Sequence, residues 1–220
     1  MLTQVADDVH QLYGLPPHGI NAYIAGGVLV DALTRWGGRV VLTALRHHPV
    51  EMVTLTHCHP DHQGVAAMVR TLKGVPLACH EADVEWMEGT TPVAFRNPVI
   101  NRLQGAWAGP ACAVDRVLHD GDEVGGFRVV HAPGHTPGHV MYHRAADGVV
   151  ICGDVVSNQH PVTRRPRLAE PPEMYSTDPA ENRRSIRRLV DLRPSLVLFG
   201  HGPPLRDVSL LDAFAERLGL

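Results

Sequence analysis

Residues 56–64 read THCHPDHQG, with three histidines and an aspartate inside six positions. As core residues His57, His59, Asp61 and His62 would fill space poorly and would each need a hydrogen-bond partner, so a shared ligand explains the cluster better. His57 and His59 are two apart, which puts them on the same side of an extended chain. Asp61 and His62 then open a helical segment, DHQGVAAMVRTLKG (61–74), with Val65, Met68, Val69 and Leu72 apolar and Gly74 as its stop. The turn into that helix aims them at a neighbouring point. One motif thus offers two adjacent metal positions, and imidazole with carboxylate suits zinc, iron or manganese.

Outward from this stretch, apolar β-type runs repeatedly end in a ligand-type residue. VTLTH reaches His57, VVHAPGH reaches His135, VICGD reaches Asp154 and LVLFGH reaches His201. Four strands therefore deliver His or Asp to what can be one edge, and a carboxylate such as Asp154 is what a metal pair needs as a bridge. NAYIAGGVLVDAL (21–33) reads as a hairpin turned at Gly26-Gly27. DPAENRRSIRRLVDL (178–192) reads as a helix with Asp178 as N-cap, Pro179 at the first position and Glu181 in capping-box register. Alternating strands and helices predict a layered α/β domain, and the absence of a linker or repeat predicts one domain over residues 1–220.

A chain of 220 residues with 44% hydrophobic content can bury a large core, and a formal charge of −3 gives no global attraction to nucleic acid or anionic membrane. The expected partner is a small-molecule substrate, with no nucleic acid and no membrane. No apolar run is long enough to span a bilayer. The start MLTQVADDVHQLYGLPPHG carries acids and prolines where a secretory leader needs a basic start and an apolar run, which predicts a cytoplasmic protein. Cys58, Cys79, Cys112 and Cys152 form no CxxC pair and are read as free thiols.

The ordered set HxHxDH, then GH, GD and GH, resembles the metallo-β-lactamase superfamily from about Asn21 to about Pro204. That resemblance implies a four-layer αββα sandwich with two divalent metal ions at one edge, zinc first and iron or manganese as alternatives. It assigns His57, His59 and His135 to the first metal, Asp61, His62 and His201 to the second, and Asp154 as the bridge. Asp31, in VLVDAL, matches the aspartate beneath the metal loop. The implied reaction is hydrolysis of an ester, thioester or lactone by a metal-bridging hydroxide, with Asp61 and Asp154 as catalytic residues.

Within the superfamily, the aspartate at 154 argues against β-lactam hydrolysis, and the length leaves little room for a nuclease arm. What remains resembles the glyoxalase II-like group, without the helical C-terminal domain or glycine-rich loop that serve glutathione. The stretch VVSNQHPVTRRPRLAEPPEMYSTDP (155–179) is long for a connection, which predicts a pocket wall with Tyr175 against a substrate oxygen. Two alternatives are a mononuclear iron persulfide dioxygenase and a non-catalytic metal-binding protein. His80, His119, His131, His143 and His160 are read as structural, His139 as a structural neighbour of the site, and Cys58 as packing. Arg183, Arg184, Arg187 and Arg188 are read as a solvated helix face, with anion binding by the arginines at 164–167 as the lesser reading.

Overall fold

A computed structural model describes residues 1–160 and 162–220, leaving Pro161 of the long stretch outside the described residues. The first sheet contains β1 (Leu2–Ala6), β2 (Val9–Tyr13), β3 (Asn21–Ala25), β4 (Val28–Val30), β5 (Met52–Thr54), β6 (Leu77–His80) and β7 (Arg116–Leu118), side by side in that order. It is antiparallel from β1 to β4 and parallel from β4 to β7. The second contains β8 (Glu123–Val124), β9 (Phe127–His131), β10 (Val140–Arg144), β11 (Val149–Gly153) and β12 (Leu196–Phe199), ordered β12-β11-β10-β9-β8. Only its β11–β12 pair is parallel.

The period of two along each strand divides the apolar residues between layers. Tyr23 and Ala25 of β3 face the second sheet, joining Val129, Tyr142, Ile151 and Leu198, whereas Ala22 and Ile24 face outward. On that outer side they meet α1 (Gly38–Ala44), α3 (Ala66–Lys73) and α4 (Val84–Glu88) through Val41, Val69 and Met87, with the single-turn α2 (Pro60–Gln63) preceding α3 in the chain. After α5 (Pro98–Leu103), the outer face of the second sheet, through Val150, Val197 and Phe199, takes α6 (Pro179–Asp191) and α7 (Ser209–Arg217) by Ile186, Leu189 and Phe214. The inner strands β3, β4, β11 and β12 are covered on both faces, which is why they read as nearly continuous apolar runs. The architecture is the expected αββα sandwich. No helix among the described residues is long and apolar enough to cross a membrane.

The hairpin turns where expected, with Gly26 and Gly27 at φ +54° and +71° and Ala25 paired to Val28. Asp178 caps α6 by accepting from the backbone N–H of Ala180 and Glu181, both at 3.0 Å. Glu181, however, does not close a capping box: its carboxylate accepts from Arg184 in the next turn.

The helix expected over 61–74 is broken in two at Gly64. The backbone of the 31–34 segment passes directly over this residue. Ala32 donates to the His62 carbonyl at 2.7 Å and Val65 donates to the Ala32 carbonyl at 3.2 Å. A Cβ on Gly64 would stand 2.2 Å from the Leu33 carbonyl oxygen, so no side chain fits. Gly64→Ala is therefore expected to cost about 1–3 kcal/mol or more in urea unfolding, the usual range for forced overpacking. An unchanged midpoint would show that this crossing is loose.

Candidate metal centre

Each donor proposed from the sequence arrives at the edge where the carboxyl ends of the parallel strands lie. His57 follows β5, His135 follows β9, Asp154 follows β11 and His201 follows β12. His59 stands at the N-cap of α2, and Asp61 and His62 lie in its single turn. Three sets of ligand atoms converge to within 4.8 Å of one another: His57 with His59 and His135, His57 with His62 and Asp154, and Asp61 with His62 and His201. Asp154 lies between them. Its Oδ1 is 3.5 Å from His62 Nε2, and its Oδ2 is 3.6 Å from His135 Nε2 and 3.1 Å from His201 Nε2.

The far sides of these rings are fixed by groups that sequence reading passed over, apart from Asp31. Asp31, at the end of β4 with φ +60°, takes His62 Nδ1 at 2.8 Å and accepts from the Thr56 N–H at 2.8 Å. The Thr56 hydroxyl lies 3.0 Å from His57 Nδ1, the Ser176 hydroxyl 3.1 Å from His135 Nδ1, and His201 Nδ1 donates to the Gly19 carbonyl at 2.6 Å. Such outer contacts set the tautomer and aim the remaining nitrogen inward. His139 remains outside the donor set: its Nε2 accepts from the Asp154 N–H at 3.0 Å and so holds that carboxylate's backbone.

Asp83 was also missed. Its carboxylate accepts from the Cys58 N–H at 3.1 Å, the Thr136 hydroxyl at 2.9 Å and the Gly138 N–H at 2.7 Å, tying the His57–His62 loop to the loop of His135. Cys58 itself points into the helix-side core. All four cysteines are free. His160 is structural too, its Nδ1 accepting from the Val162 and Thr163 N–H groups at 3.1 Å.

Burial first, then the neighbouring imidazoles, drive His57, His59 and His139 well below the ordinary imidazole range, and burial carries His135 to about 4. His62 and His201 go up: burial is the largest single influence and opposes their charge, but the facing carboxylates together outweigh it, Asp154 with Asp31 at His62 and Asp154 with Asp61 at His201. Asp61 and Asp154 stay ionised against their burial because His201 and His62 face them. Neutral imidazoles beside ionised carboxylates are the donors a divalent cation requires, and a bound cation would compete with protons for His62 and His201.

A second observation tests the fit. His59 Nε2, His62 Nε2, His135 Nε2 and Asp154 Oδ1 are buried with no hydrogen-bond partner. A fold rarely leaves so many polar atoms orphaned at one point unless a ligand satisfies them, and a divalent metal does so for this donor set.

The centre opens into a cavity of about 510 Å³. Phe95, Trp36, Trp107 and Tyr175 supply its aromatic walls, and Ser157, Gln159, Arg164 and Glu170 of the long stretch supply polar ones. Phe95 lies 4.5 Å from the His59 ring and meets Tyr175 edge-on at 6.0 Å. Phe95, Trp36 and Trp107 carry no sequence signal, since isolated aromatics in loops look alike whether they line a cavity or not.

Comparison with known proteins agrees with this geometry. The Bacillus subtilis protein YybB, described as a probable metallo-hydrolase, is 26% identical over 175 residues, covering 79% of this chain and 74% of its own. A hydroxyacylglutathione hydrolase of Shewanella oneidensis is 32% identical over 120 residues, but these span 53% of this chain and only 39% of that enzyme. The solved structure of TTHA1623 in a di-iron-bound form superposes with a TM-score of 0.69 at 28% identity, over 89% of this chain and 93% of its own. The family model described as the metallo-beta-lactamase superfamily matches residues 15–201, a span that contains every one of the seven donors. On that match, together with the fold and the converging histidines and aspartates, the chain belongs to the metallo-beta-lactamase superfamily.

Proposed function

We propose that this chain is a binuclear metallohydrolase that cleaves an ester, thioester or lactone. The observation that carries the reading is the position of Asp154, whose Oδ2 lies between His135 and His201 while its Oδ1 faces His62, so one carboxylate meets both histidine groups. In this reading His57, His59 and His135 hold one divalent ion, Asp61, His62 and His201 hold the other, and Asp154 is shared. Such a pair of ions would supply a water made nucleophilic at neutral pH and a Lewis acid for the carbonyl oxygen. Zinc suits the donors, and the di-iron relative gives iron weight as the alternative.

The chain's own residues do the rest. His139 fixes the backbone of Asp154, Asp31 fixes His62, and Ser176 fixes His135, so the acceptors stay in place while charge develops on the substrate. Asp61, partly exposed on the cavity side, orients the attacking water and is the catalytic carboxylate with Asp154. The aromatic walls receive the substrate body, with Tyr175 near the reacting end. A cavity of this size suits a small molecule rather than nucleic acid or a membrane. Free thiols support the cytoplasm, where they stay reduced. The match to hydroxyacylglutathione hydrolase covers too little of that enzyme to carry its substrate across.

The purified protein is expected to hold close to two metal equivalents by elemental analysis, and chelation should abolish hydrolysis of a generic ester, with activity restored by zinc or iron. Full activity without metal sinks the reading. One equivalent of iron with oxygen uptake on glutathione persulfide would instead make it a dioxygenase. Loss of folding without any turnover in the loaded protein would make the metal structural.

Asp154→Asn removes the shared charge. It should lower metal content at both positions and reduce kcat by about 100-fold or more, beyond the 10- to 100-fold usual for a supporting residue. Normal metal loading with parental turnover would disprove the shared role.

The two histidines of GHTPGH separate cleanly. His135→Ala should lose one metal equivalent, whereas His139→Ala should keep most of its metal while kcat falls about 10- to 100-fold. The reverse pattern of metal content would exchange their assignments.

A further inference from the structure

The cavity wall contributed by the long stretch contains a cation with no counterion among the described residues. Arg164 lines the 510 Å³ cavity and also an adjoining one of about 340 Å³. Among the described residues it is the only arginine or lysine on either wall. Its one side-chain hydrogen bond is long, from Nη1 to Gln159 Oε1 at 3.3 Å. Glu170, the acid on the same wall, is already engaged by Arg183 through two bonds of 2.8 and 3.1 Å. Helix α6 satisfies its other arginines likewise: Arg184 on Glu181, Arg187 on Asp191 and Arg188 on the His131 carbonyl.

Local bonds hold the described residues around Arg164. The His160 ring accepts two backbone N–H groups, its carbonyl accepts from the Arg164 N–H at 2.9 Å, and its own N–H donates to the Arg165 carbonyl at 2.9 Å. Arg164 sits at φ +58°, a conformation that costs a long L side chain energy and that Gly or Asn adopts more cheaply. Its guanidinium lies against Gly19, where an added Cβ would stand 3.0 Å from Nη1. Gly19 is the residue whose carbonyl receives His201 Nδ1. One backbone residue therefore separates the unpaired cation from the metal centre.

We propose that Arg164 is an oxyanion-recognition residue, and that the substrate is an anionic amphiphile: a scissile carbonyl at the metal centre, an apolar body against Trp36 and Trp107, and a carboxylate or phosphoryl group on Arg164. The proposal rests on the hydrolytic reading of the site. Water adds its hydroxyl to the acyl carbon, the acyl–oxygen bond breaks and the alcohol departs with the proton, so the remote anion takes no part in the bond changes. It selects and orients the substrate. A guanidinium is suited to this by its planar fork of donors, which binds either oxyanion through two bonds.

The test compares 4-nitrophenyl esters of one chain length that end in a free carboxylate (hydrogen suberate), its neutral methyl ester, a phosphonate or a trimethylammonium group. Wild-type protein, loaded with metal, should show kcat/KM about 10- to 100-fold higher for the anionic esters than for the neutral one, mostly in KM, the range of a charge-assisted pair. The better of the two anions identifies the source. In Arg164→Ala, and in Arg164→Gly, which suits the positive φ, the preference should collapse to about 2-fold or less, while Arg165→Ala keeps it.

A binding arm separates this proposal from the hydrolase reading. N-Phenylsuberamic acid and its methyl ester, neither carrying an ester at the reacting end of the aryl group, are titrated by quenching of the tryptophan fluorescence. Arg164-dependent binding of the acid with no turnover of any ester leaves the subsite standing and removes the hydrolase. Turnover without charge preference, a preference that survives in both Arg164 variants, or binding of neither amide overturns the subsite.

Discussion

The carboxylate of Asp31 holds the centre together. It is buried at 1% exposure, a position costly for a charge unless it is fully bonded, and it meets both ends of the donor motif at once. One oxygen takes the Thr56 N–H, both lie within reach of the Thr56 hydroxyl, and the second oxygen takes His62 Nδ1. The distance along the chain from Thr56 to His62 is thereby closed into a loop over one anion. Because β4 and β5 run parallel, the end of β4 that carries Asp31 and the end of β5 that leads to His57 fall on the same edge. The left-handed backbone at Asp31 is strain that these bonds outweigh, and it turns the carboxylate toward the loop.

The second sheet reaches the same point through buried polar contacts. Val140 donates to the Thr56 carbonyl at 2.8 Å, and the Tyr142 hydroxyl meets the Thr54 hydroxyl at 2.7 Å and the Leu55 carbonyl at 2.8 Å. In the other direction Asn21 and Tyr23 of the first sheet donate to the Phe199 carbonyl at 2.8 and 2.7 Å, just before His201. A sandwich held by apolar burial alone would let its layers slide, since hydrophobic contact has no preferred direction. These directional bonds fix the edge where the donors of the two sheets must agree.

The donors were legible because their signal is local: a His or Asp at the end of an apolar run is visible within a few residues. The Gly26-Gly27 turn and the Asp178 cap are local in the same sense. Asp83, Ser176 and Thr56 were not legible, because their importance comes from partners far away in the chain or from a hydroxyl angle that no spacing encodes. The break at Gly64 is likewise imposed from outside, by the backbone of residues 31–34. The hairpin of β1 and β2 escaped for a different reason. Thr3 and Gln4 in β1 and His10 and Gln11 in β2 interrupt the apolar residues on both faces, so neither strand shows a clean period of two. Phe95 and the two cavity tryptophans lie in loops, where aromatic residues have no period to betray them.

Burial is uneven across the centre, and that unevenness bears on chemistry. His57, His59, His62 and His135 are between 0 and 3% exposed, whereas the side chains of His201 and Asp61 are 25 and 30% exposed. The deep group is anchored through Thr56, Asp31 and Ser176, with only His59 and His135 of it reaching the cavity wall. The shallow pair borders the cavity, beneath Gly19 and within reach of solvent. A closed structural site would bury all its donors alike and leave no coordination position free. Here the most exposed donors, Asp61 and His201, border the cavity that His59, His135 and Asp154 also reach, so under the proposed reaction an exchanging ligand would enter from that face. The long stretch at 155–178 closes that same face, pinned by the paired backbone bonds between Ser157 and Ala169. It places Tyr175 and the Arg164 guanidinium on the cavity wall with Trp36 and Trp107, so under the proposed function a substrate would meet them on its way to the donors.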